Sequence, residues 1–509
     1  MASVASAPSE DASAAGAPIA RRLRVGVVAD APMQPRWIVE ALAKVAASDF
    51  AELAFVEVRT SLGAGRDGFA PRNLYSRLDE RLFGRGNWSQ PSDVRLLVPG
   101  SRERACDEMV DVIVTLGDVA DDSLLACARH GVWRHWVRYG PELTGSGLIV
   151  RTADGAERLV HPSWSRTFDF SVARTRDTVF AKSAEFLARS LRCLHRGESV
   201  PASNSPIFVP GTNSPIFVPG TISAVARRAL ARATAVEQWG LAFRFVDIEP
   251  WTGSMRGFQR LRPPHDGFWA DPFALQRGGR NYIFFEDLPG PRERGRICVI
   301  EVDRQGRASK PVVVLERDYH LSYPFLVEDG GELYMIPETY GNGTIEIYRC
   351  VEFPGKWRRE RVLLDGLLAV DATVHRAGDR WWMFANVAAD GAEVNDELHI
   401  FTSDKLLGEW TPLARNPVKS DVRGSRPAGK LFTQGGRLYR PSQVCAPIYG
   451  AGIALQRVTR LDENYEEQEE RRIVPAPGER VLGLHTINRD GDLSVTDAFV
   501  RRSRLRATE

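Results

Sequence analysis

The sequence predicts a multidomain protein, an α/β domain followed by a five-bladed β-propeller. Three observations carry this. A two-strand pattern punctuated by Gly recurs five times towards the C-terminal end. A β-α-β pattern opens the chain, and a stretch dense in Pro and Gly lies between the two regions. Self-similarity at a period of about fifty residues, with a hairpin in each copy, marks a propeller.

The repeat is built around His265-Asp-Gly-Phe-Trp-Ala-Asp-Pro-Phe-Ala274 and, within it, Asp271, where an acidic residue followed by Pro opens a strand. Altered copies stand at Ser322-Tyr323-Pro324-Phe325, Val370-Asp371-Ala372-Thr373 and Ser425-Arg426-Pro427-Ala428, with a fainter fifth at Gly483-Leu-His485-Thr-Ile-Asn-Arg-Asp-Gly-Asp492. Each of the first four leads through a Gly-containing turn: Arg277-Gly-Gly-Arg280, Glu328-Asp-Gly-Gly331, Arg376-Ala-Gly-Asp379 and Gln434-Gly-Gly-Arg437. Second strands rich in aromatics follow at Tyr282-Ile-Phe-Phe285, Leu333-Tyr-Met-Ile336, Trp381-Trp-Met-Phe384 and Leu438-Tyr439. Five copies mean five blades.

Composition narrows the function classes. With 43% hydrophobic and 26% charged residues the chain is of ordinary globular type, and 509 residues call for two or three domains. The formal net charge is +2 and no Lys/Arg block appears, so nucleic acid is not an expected partner. Cys106, Cys127, Cys193, Cys298, Cys350 and Cys445 form no C-x-x-C pair, which reads as reduced thiols with no zinc site. No apolar run reaches the ~20 residues of a membrane helix. The Ala/Ser/Pro-rich residues 1–20 read as a disordered leader without the features of a secretion signal. The expected compartment is the cytoplasm, with peripheral membrane contact left open.

From residue 21 the chain alternates in period. Arg21-Arg-Leu-Arg-Val-Gly-Val-Val-Ala29 reads as a strand, Pro35 to Ala47 as a helix and Phe50 to Val58 as a second strand, a unit that favours parallel pairing. Met109 to Gly117 is a nearly continuous apolar strand, as for one buried on both faces. A helix from about Asp121 to His130 and an amphipathic helix from Thr178 to His195 are expected after it. Asp111-Val-Ile-Val-Thr-Leu-Gly-Asp118, the helix after it and Gly131-Val-Trp-Arg-His135 resemble the N-terminal, Rossmann-like domain of the formyltransferase family. That family works with an Asn-x-His-x-Ser-Leu-Leu-Pro stretch and a downstream Asp. Here only His135 stands near the matching place, so formyl transfer is not expected. A lone His among aromatics is more often packed than catalytic. No G-x-G-x-x-G follows the first strand, so neither a dinucleotide nor any other cofactor is expected.

The linker region, residues 199–245, carries Asn204-Ser-Pro-Ile-Phe-Val-Pro-Gly-Thr212 and repeats it unchanged at Asn213 to Thr221. Two Pro and one Gly in nine residues exclude a helix or a central strand, and the simplest reading is duplication in a tolerant linker. Ile222 to Trp239 reads as a helix leading to the propeller. The expected organisation is thus residues 1–20 leader, 21–198 Rossmann-like domain, 199–245 linker and 246–505 propeller.

Inner strands face a propeller's central funnel, so Asp271, Tyr323, Asp371, Arg426 and His485 should converge there. Fifteen residues past the first three anchors stand Glu286, Glu338 and Asn386, and the fourth blade keeps the pattern with an insertion in Arg440-Pro-Ser-Gln443. An isolated Asp ordinarily caps a turn. Two carboxylates from non-adjacent blades pointing at one axis instead raise one another's pKa, the condition for acid/base chemistry.

This arrangement resembles the five-bladed propellers of arabinanases, β-xylosidases, invertases and levansucrases. It is closer to the propeller of glucosamine inositolphosphorylceramide transferase-like proteins. The resemblance covers roughly residues 250 to 500. It implies that Asp271, in Trp269-Ala-Asp-Pro272, is a nucleophile or base and that Asp371 orients substrate. The hydrolases carry a Glu-Gly-Pro acid on blade four, where this chain has Ser425-Arg426-Pro427. Arg cannot donate that proton, but its fork suits phosphate or carboxylate. The reading therefore moves from hydrolysis towards transfer from a phosphate-activated donor, with Arg426 as anion clamp. Pairing of Arg426 with a buried aspartate stays open, as does Glu338 or Glu286 as a relocated acid.

The expected function is a glycosyltransferase of surface glycan or glycolipid synthesis, with a furanosidase-like hydrolase or a non-catalytic glycan-binding protein as alternatives. Asp271, Asp371 and Glu338 are the catalytic candidates. Arg426, Tyr323, His320, Arg440, Asn386, Trp269 and His485 are the substrate-binding candidates, and no metal site is expected. The expected partners are a nucleotide- or lipid-phosphate-linked sugar donor and a glycan or glycolipid acceptor.

Overall fold

The computed structural model describes residues 18–59, 74–98, 105–119, 121–198, 200, 202–203, 235–246 and 255–503. The leader up to residue 17 and the duplicated Asn204–Thr221 segment lie outside them.

The N-terminal sheet has seven strands, in the order Ala51–Val58, Leu23–Ala29, Val112–Leu116, Val132–Arg138, Leu143–Arg151, Glu157–Arg166 and Ala202–Ser203. The first four pair in parallel, and the antiparallel part begins where Val132–Arg138 meets Leu143–Arg151. Val112–Leu116 is buried at every position, as its unbroken apolar run requires. The crossover helix Arg36–Ala46 buries Trp37, Ile38, Ala41, Leu42 and Val45, one face of a 3.6-residue period. The region is mostly strand.

Several local expectations change. The helix expected from Asp121 to His130 is a single 3-10 stretch, Asp122–Cys127, begun by the Asp121 carboxylate accepting the Ser123 amide at 2.9 Å. Asp and Ser bond nearby backbone and so compete with a longer helix. The helix expected from Thr178 to His195 begins earlier and is split into Val172–Ser183 and Phe186–His195, the Glu185 amide turning back onto the Lys182 carbonyl between them. The six cysteines are not all reduced, for Cys106 and Cys127 form a disulfide across 21 residues. The pairing joins the segments on either side of the strand Val112–Leu116, a proximity that spacing alone does not reveal.

The second region is five sheets. Blade one holds Phe268–Arg277, Arg280–Leu288, Arg296–Val302 and Val312–Leu315; blade two holds Ser322–Asp329, Glu332–Thr339, Thr344–Glu352 and Lys356–Asp365. Blade three is built on Ala369–Ala377, Arg380–Val387 and Glu397–Ser403, and blade four on Phe432–Gln434, Arg437–Val444, Gly452–Arg460 and Glu466–Ile473. Blade five pairs Leu493–Ser503 with Ala235–Phe245 along eleven residues. The blade sheets therefore begin before the expected boundary at 246. The expected helix to Trp239 is strand over its described part, its residues 222–234 lying outside the described range. Alternation explains the strand: Leu241 and Phe243 pack on one face, and Ala242 on the other.

The first hairpins turn as the Gly pattern requires. Arg277 pairs with Arg280, Asp329 with Glu332 and Gln434 with Arg437, each across two glycines of positive φ (59° and 74°, 60° and 84°, 56° and 73°). Two-residue turns of that handedness match the twist of the strands they join.

By contact density the chain divides into two compact units. One is built on the described residues before Tyr139 with Gly145–Ser163 and the segment beginning at Arg176. The other holds Tyr139–Thr144, Trp164–Thr175 and the propeller.

Candidate active site

A shared backbone irregularity sets the site. In blades one to three the ladder between the first two strands slips at the anchor, between Ala270 and Phe273, Ser322 and Phe325, and Val370 and Thr373. At each slip the anchor lies in the left-handed region, Asp271 at φ 51°, Tyr323 at 44° and Asp371 at 53°. Asp tolerates this conformation, whereas a non-Gly residue as bulky as Tyr seldom adopts it, and each such residue costs roughly 1–2 kcal/mol. A bulge re-aims a side chain out of the alternating pattern. The same distortion in three blades is thus a built feature.

Two clusters result. In the first, Arg426 Nε donates to Asp371 Oδ2 at 2.6 Å and Nη2 to Oδ1 at 3.3 Å. Its Nη1 donates to Asn395 Oδ1 at 2.9 Å, and Nη2 also reaches Glu338 Oε2 at 3.4 Å. Gln443 Nε2 donates to Asp371 Oδ2 at 2.7 Å. Burial, with Asp371 beside it, holds the Glu338 carboxyl well above the usual carboxylate range, against the pull of Arg426.

The second cluster is a charged chain. The Asp271 carboxylate accepts from Thr486 Oγ1 at 2.6 Å and lies 3.3 Å from His485 Nε2. His485 Nδ1 lies 2.7 Å from Asp497 Oδ2, and Asp497 also accepts the amides of Asp271, His485 and Thr486. Burial pushes the Asp271 carboxyl up to about 7, His485 opposing and Asp371, Glu286 and Asp497 adding to the rise. Against its burial, Asp497 and Asp271 lift the His485 imidazole to about 9. Asp271, His485 and Asp497 each offer one ligand atom within 4.8 Å of the others.

Most of the substrate-binding candidates are buried and bonded to neighbouring groups. Each of the three guanidinium nitrogens of Arg426 donates to a protein acceptor. Arg440 is fully buried, with Nε and Nη2 each 2.7 Å from Glu467 and two more bonds to the Ser425 and Gly424 carbonyls. Tyr323 is also fully buried, its ring against Phe273 and its hydroxyl bonded to Thr373 Oγ1 at 2.8 Å and the Gly429 amide at 2.7 Å. Trp269 packs on Phe285 and donates its Nε1 to Asp287 at 2.9 Å. Asn386 is buried and donates to the Val394 carbonyl at 3.0 Å, fixing the loop that presents Asn395. His485 is buried between Trp239, tilted at 4.1 Å, and Tyr449, edge-on at 5.3 Å. Among these candidates His320 alone stays substantially open, at 43% side-chain exposure, with Nε2 2.9 Å from Glu286 Oε1. In the N-terminal region His135 packs edge-on against Trp37 at 4.7 Å, and desolvation lowers its pKa to about 4.

Gln443 and Thr486 stand in the sequence only as members of repeat motifs, and Asn395 and Asp497 lie outside those motifs. Asn395 sits on a loop with no repeat position. Thr486, next to the His485 anchor, was within reach of the pattern.

Residues 262–477 match the family described as "Glucosamine inositolphosphorylceramide transferase 1, N-terminal". The match falls on the propeller. The protein named glucosamine inositolphosphorylceramide transferase 1 from Arabidopsis thaliana is 35% identical over 206 residues, which is 40% of this chain and 27% of that one. Its namesake from Oryza sativa subsp. japonica is 36% identical over 205 residues, 39% of this chain and 27% of that one. The chain thus spans about a quarter of the length of these relatives, which are named as a transferase. Among solved structures, the Coprinopsis cinerea GH62 α-L-arabinofuranosidase catalytic domain is 14% identical, covering 50% of this chain and 97% of that one, at a TM-score of 0.36. The family 117 glycoside hydrolase Zg3597 from Zobellia galactanivorans is 11% identical, covering 51% and 90%, at 0.34. At these scores the likeness carries no argument about the site.

Proposed function

We propose that the chain is a carbohydrate-active enzyme, a glycosyltransferase of glycan or glycolipid synthesis, with Glu338 as acid and Asp271 as base at the floor of the propeller. The observation that carries this reading is a pair of buried carboxyl groups from blades one and two, both with raised pKa values. A protonated carboxyl assists departure of a leaving group, and a base near pH 7 takes a proton from an acceptor hydroxyl. The donor is a nucleotide- or lipid-phosphate-linked sugar and the acceptor a glycan or glycolipid, a choice supported by the transferase name of the relatives. With Arg426 held by Asp371, neutralising the leaving group falls to Glu338.

A second reading is favoured by the span of the match. The relatives carry nearly three quarters of their length outside it, so the propeller would recognise a sugar while chemistry proceeds elsewhere. The N-terminal sheet is read as a Rossmann-like, formyltransferase-type domain without formyl transfer, supported by its four parallel strands and the packed His135. A cytoplasmic location is proposed on the sequence alone. Among the described residues no helix is long and apolar enough to cross a membrane.

The test is incubation of the full chain with nucleotide sugars, sugar phosphates and aryl glycosides, following both sugar release and transfer. Transfer from a phosphate-linked donor that is lost in Asp271→Asn and Glu338→Gln is expected. Release from an aryl glycoside with water alone would make the chain a hydrolase. Sugar binding retained in Asp271→Asn without any turnover would make it a binding module.

A further inference from the structure

The loop of residues 388–396, between the second and third strands of blade three, presents Asn395 to Arg426 and is held at three points. Asn386 Nδ2 donates to the Val394 carbonyl at 3.0 Å. The other two points come from the segment Trp164–Thr175, which belongs to the same compact unit as the propeller. Ser165 Oγ donates to Asp396 Oδ2 at 2.6 Å, and both residues are buried. Arg174 Nη2 donates to Glu393 Oε1 at 2.9 Å. The segment is itself seated on blade four's approach, for the Val422 amide donates to the Trp164 carbonyl at 3.0 Å and Arg423 lies over the Trp164 ring at 5.4 Å.

With Glu393, Val394 and Asp396 fixed, Asn395 between them has little freedom. Its Oδ1 accepts from Arg426 Nη1 at 2.9 Å, while Nε and Nη2 grip Asp371 and Nη2 stands 3.4 Å from Glu338. The Tyr449 ring lies 5.2 Å from the same guanidinium, and Leu143 of Tyr139–Thr144 packs into the apolar cluster that Tyr449 borders. Arg426 is buried, so Nη1 needs an acceptor within the protein. Were Asn395 to move away, the end of the fork formed by Nη1 and Nη2 would meet its next acceptor in Glu338, which Nη2 already approaches. Leu143, Ser165 and Arg174 all precede residues 262–477, so none of them belongs to the span the family shares.

We propose that Ser165 and Arg174 are positioning residues of the funnel, fixing the Asn395 loop so that the Arg426 fork stays on Asp371 instead of closing on Glu338. The inference rests on the reading of Glu338 as the acid, and it assigns part of the site to a segment outside the blades. The electrostatics give it a measurable sign. Burial and the charges of Asp371 and Asp271 raise the Glu338 pKa, and Arg426 opposes them. A fork closing end-on upon Glu338 strengthens the opposing charge, so release of the loop lowers that pKa.

The test is an infrared pH titration of the full chain, following the protonated-carboxyl band of Glu338, identified by its loss in Glu338→Gln. In Asn395→Ala the midpoint of that band is expected to fall by about one unit or more, the shift that an approaching opposite charge produces. Ser165→Ala combined with Arg174→Gln should shift it in the same direction. A segment that merely stabilised the fold would lower the melting temperature in that double variant and leave the midpoint in place. An unmoved or raised midpoint in the folded double variant therefore overturns the inference. Should the double variant not fold, Ser165→Ala alone, which removes a single hydroxyl, is read in the same way. The midpoint is measured without turnover, so a wild type that transfers no sugar would sink the enzyme reading and leave the positioning role standing. If no band is lost in Glu338→Gln at any pH where the chain stays folded, both fall.

Discussion

Arg426 grips Asp371 with two nitrogens, Nε at 2.6 Å and Nη2 at 3.3 Å, and both side chains are buried. Removing one partner of such a pair leaves an uncompensated charge, at a cost of about 3–5 kcal/mol. Arg426→Ala and Asp371→Asn should each lower the urea midpoint by that equivalent, and the double variant should recover part of the loss. A stable Arg426→Ala variant defective only in donor affinity would restore the anion clamp.

Asp271 can be tested with little disturbance to its backbone. At φ 51° Asn is tolerated nearly as well as Asp, so Asp271→Asn removes the base while keeping the turn. Turnover of the proposed transfer should fall at least ~100-fold with a melting temperature within a few degrees of wild type. Unchanged turnover would remove Asp271 from the mechanism.

The buried ions give stability opposite slopes at the two ends of the pH range. Glu467, beside Arg440, has its pKa lowered from 4.5 to about 2, so its contribution is present above about 4.5 and fades as pH falls towards 2. His485 has its pKa raised from 6.5 to about 9, so its contribution is full below about 6.5 and is lost as pH rises through 9. Denaturant midpoints measured across pH should drop at both ends. Glu467→Gln should flatten the acid limb and His485→Gln the alkaline one, each below its wild-type maximum. A limb that keeps its slope in the matching variant would assign it to other groups.

Tyr323→Phe separates packing from recognition. The change strands the Gly429 amide, at about 1–3 kcal/mol for a buried group left unbonded, while the Thr373 hydroxyl keeps its bond to the Asp371 carbonyl. Melting temperature should fall while sugar affinity in the folded protein is unchanged. A loss of affinity at constant stability would return Tyr323 to the list of ligand contacts.

The Cys106–Cys127 pair is open to a direct count. Thiol titration of the unreduced, denatured chain should find four free cysteines, Cys193, Cys298, Cys350 and Cys445, rising to six after reduction. Six before reduction would return the chain to the fully reduced reading.

The sequence by itself determined the blades. Hairpins are local: two glycines at 278–279 or 435–436 between apolar strands fix turn and register within about twenty residues, so the period and the position of each anchor stand in the text of the chain. It also determined that Asp271, Tyr323 and Asp371 stand at equivalent positions of the repeat, while the bulge and positive φ they share belong to the tertiary structure. Tertiary structure alone decided what those residues can do. Whether Arg426 is free or taken depends on Asp371, Asn395 and Glu338, up to 88 residues away, and no local pattern sets those distances. Burial separates Tyr323, which is sealed, from Asp271 and Glu338, whose desolvation raises their pKa values. The closing strand Ala235–Phe245 likewise reads as the end of a helix until Leu493–Ser503, more than 240 residues later, supplies the ladder that makes it a strand. Propensity is a weak local preference, and a long-range sheet edge overrides it.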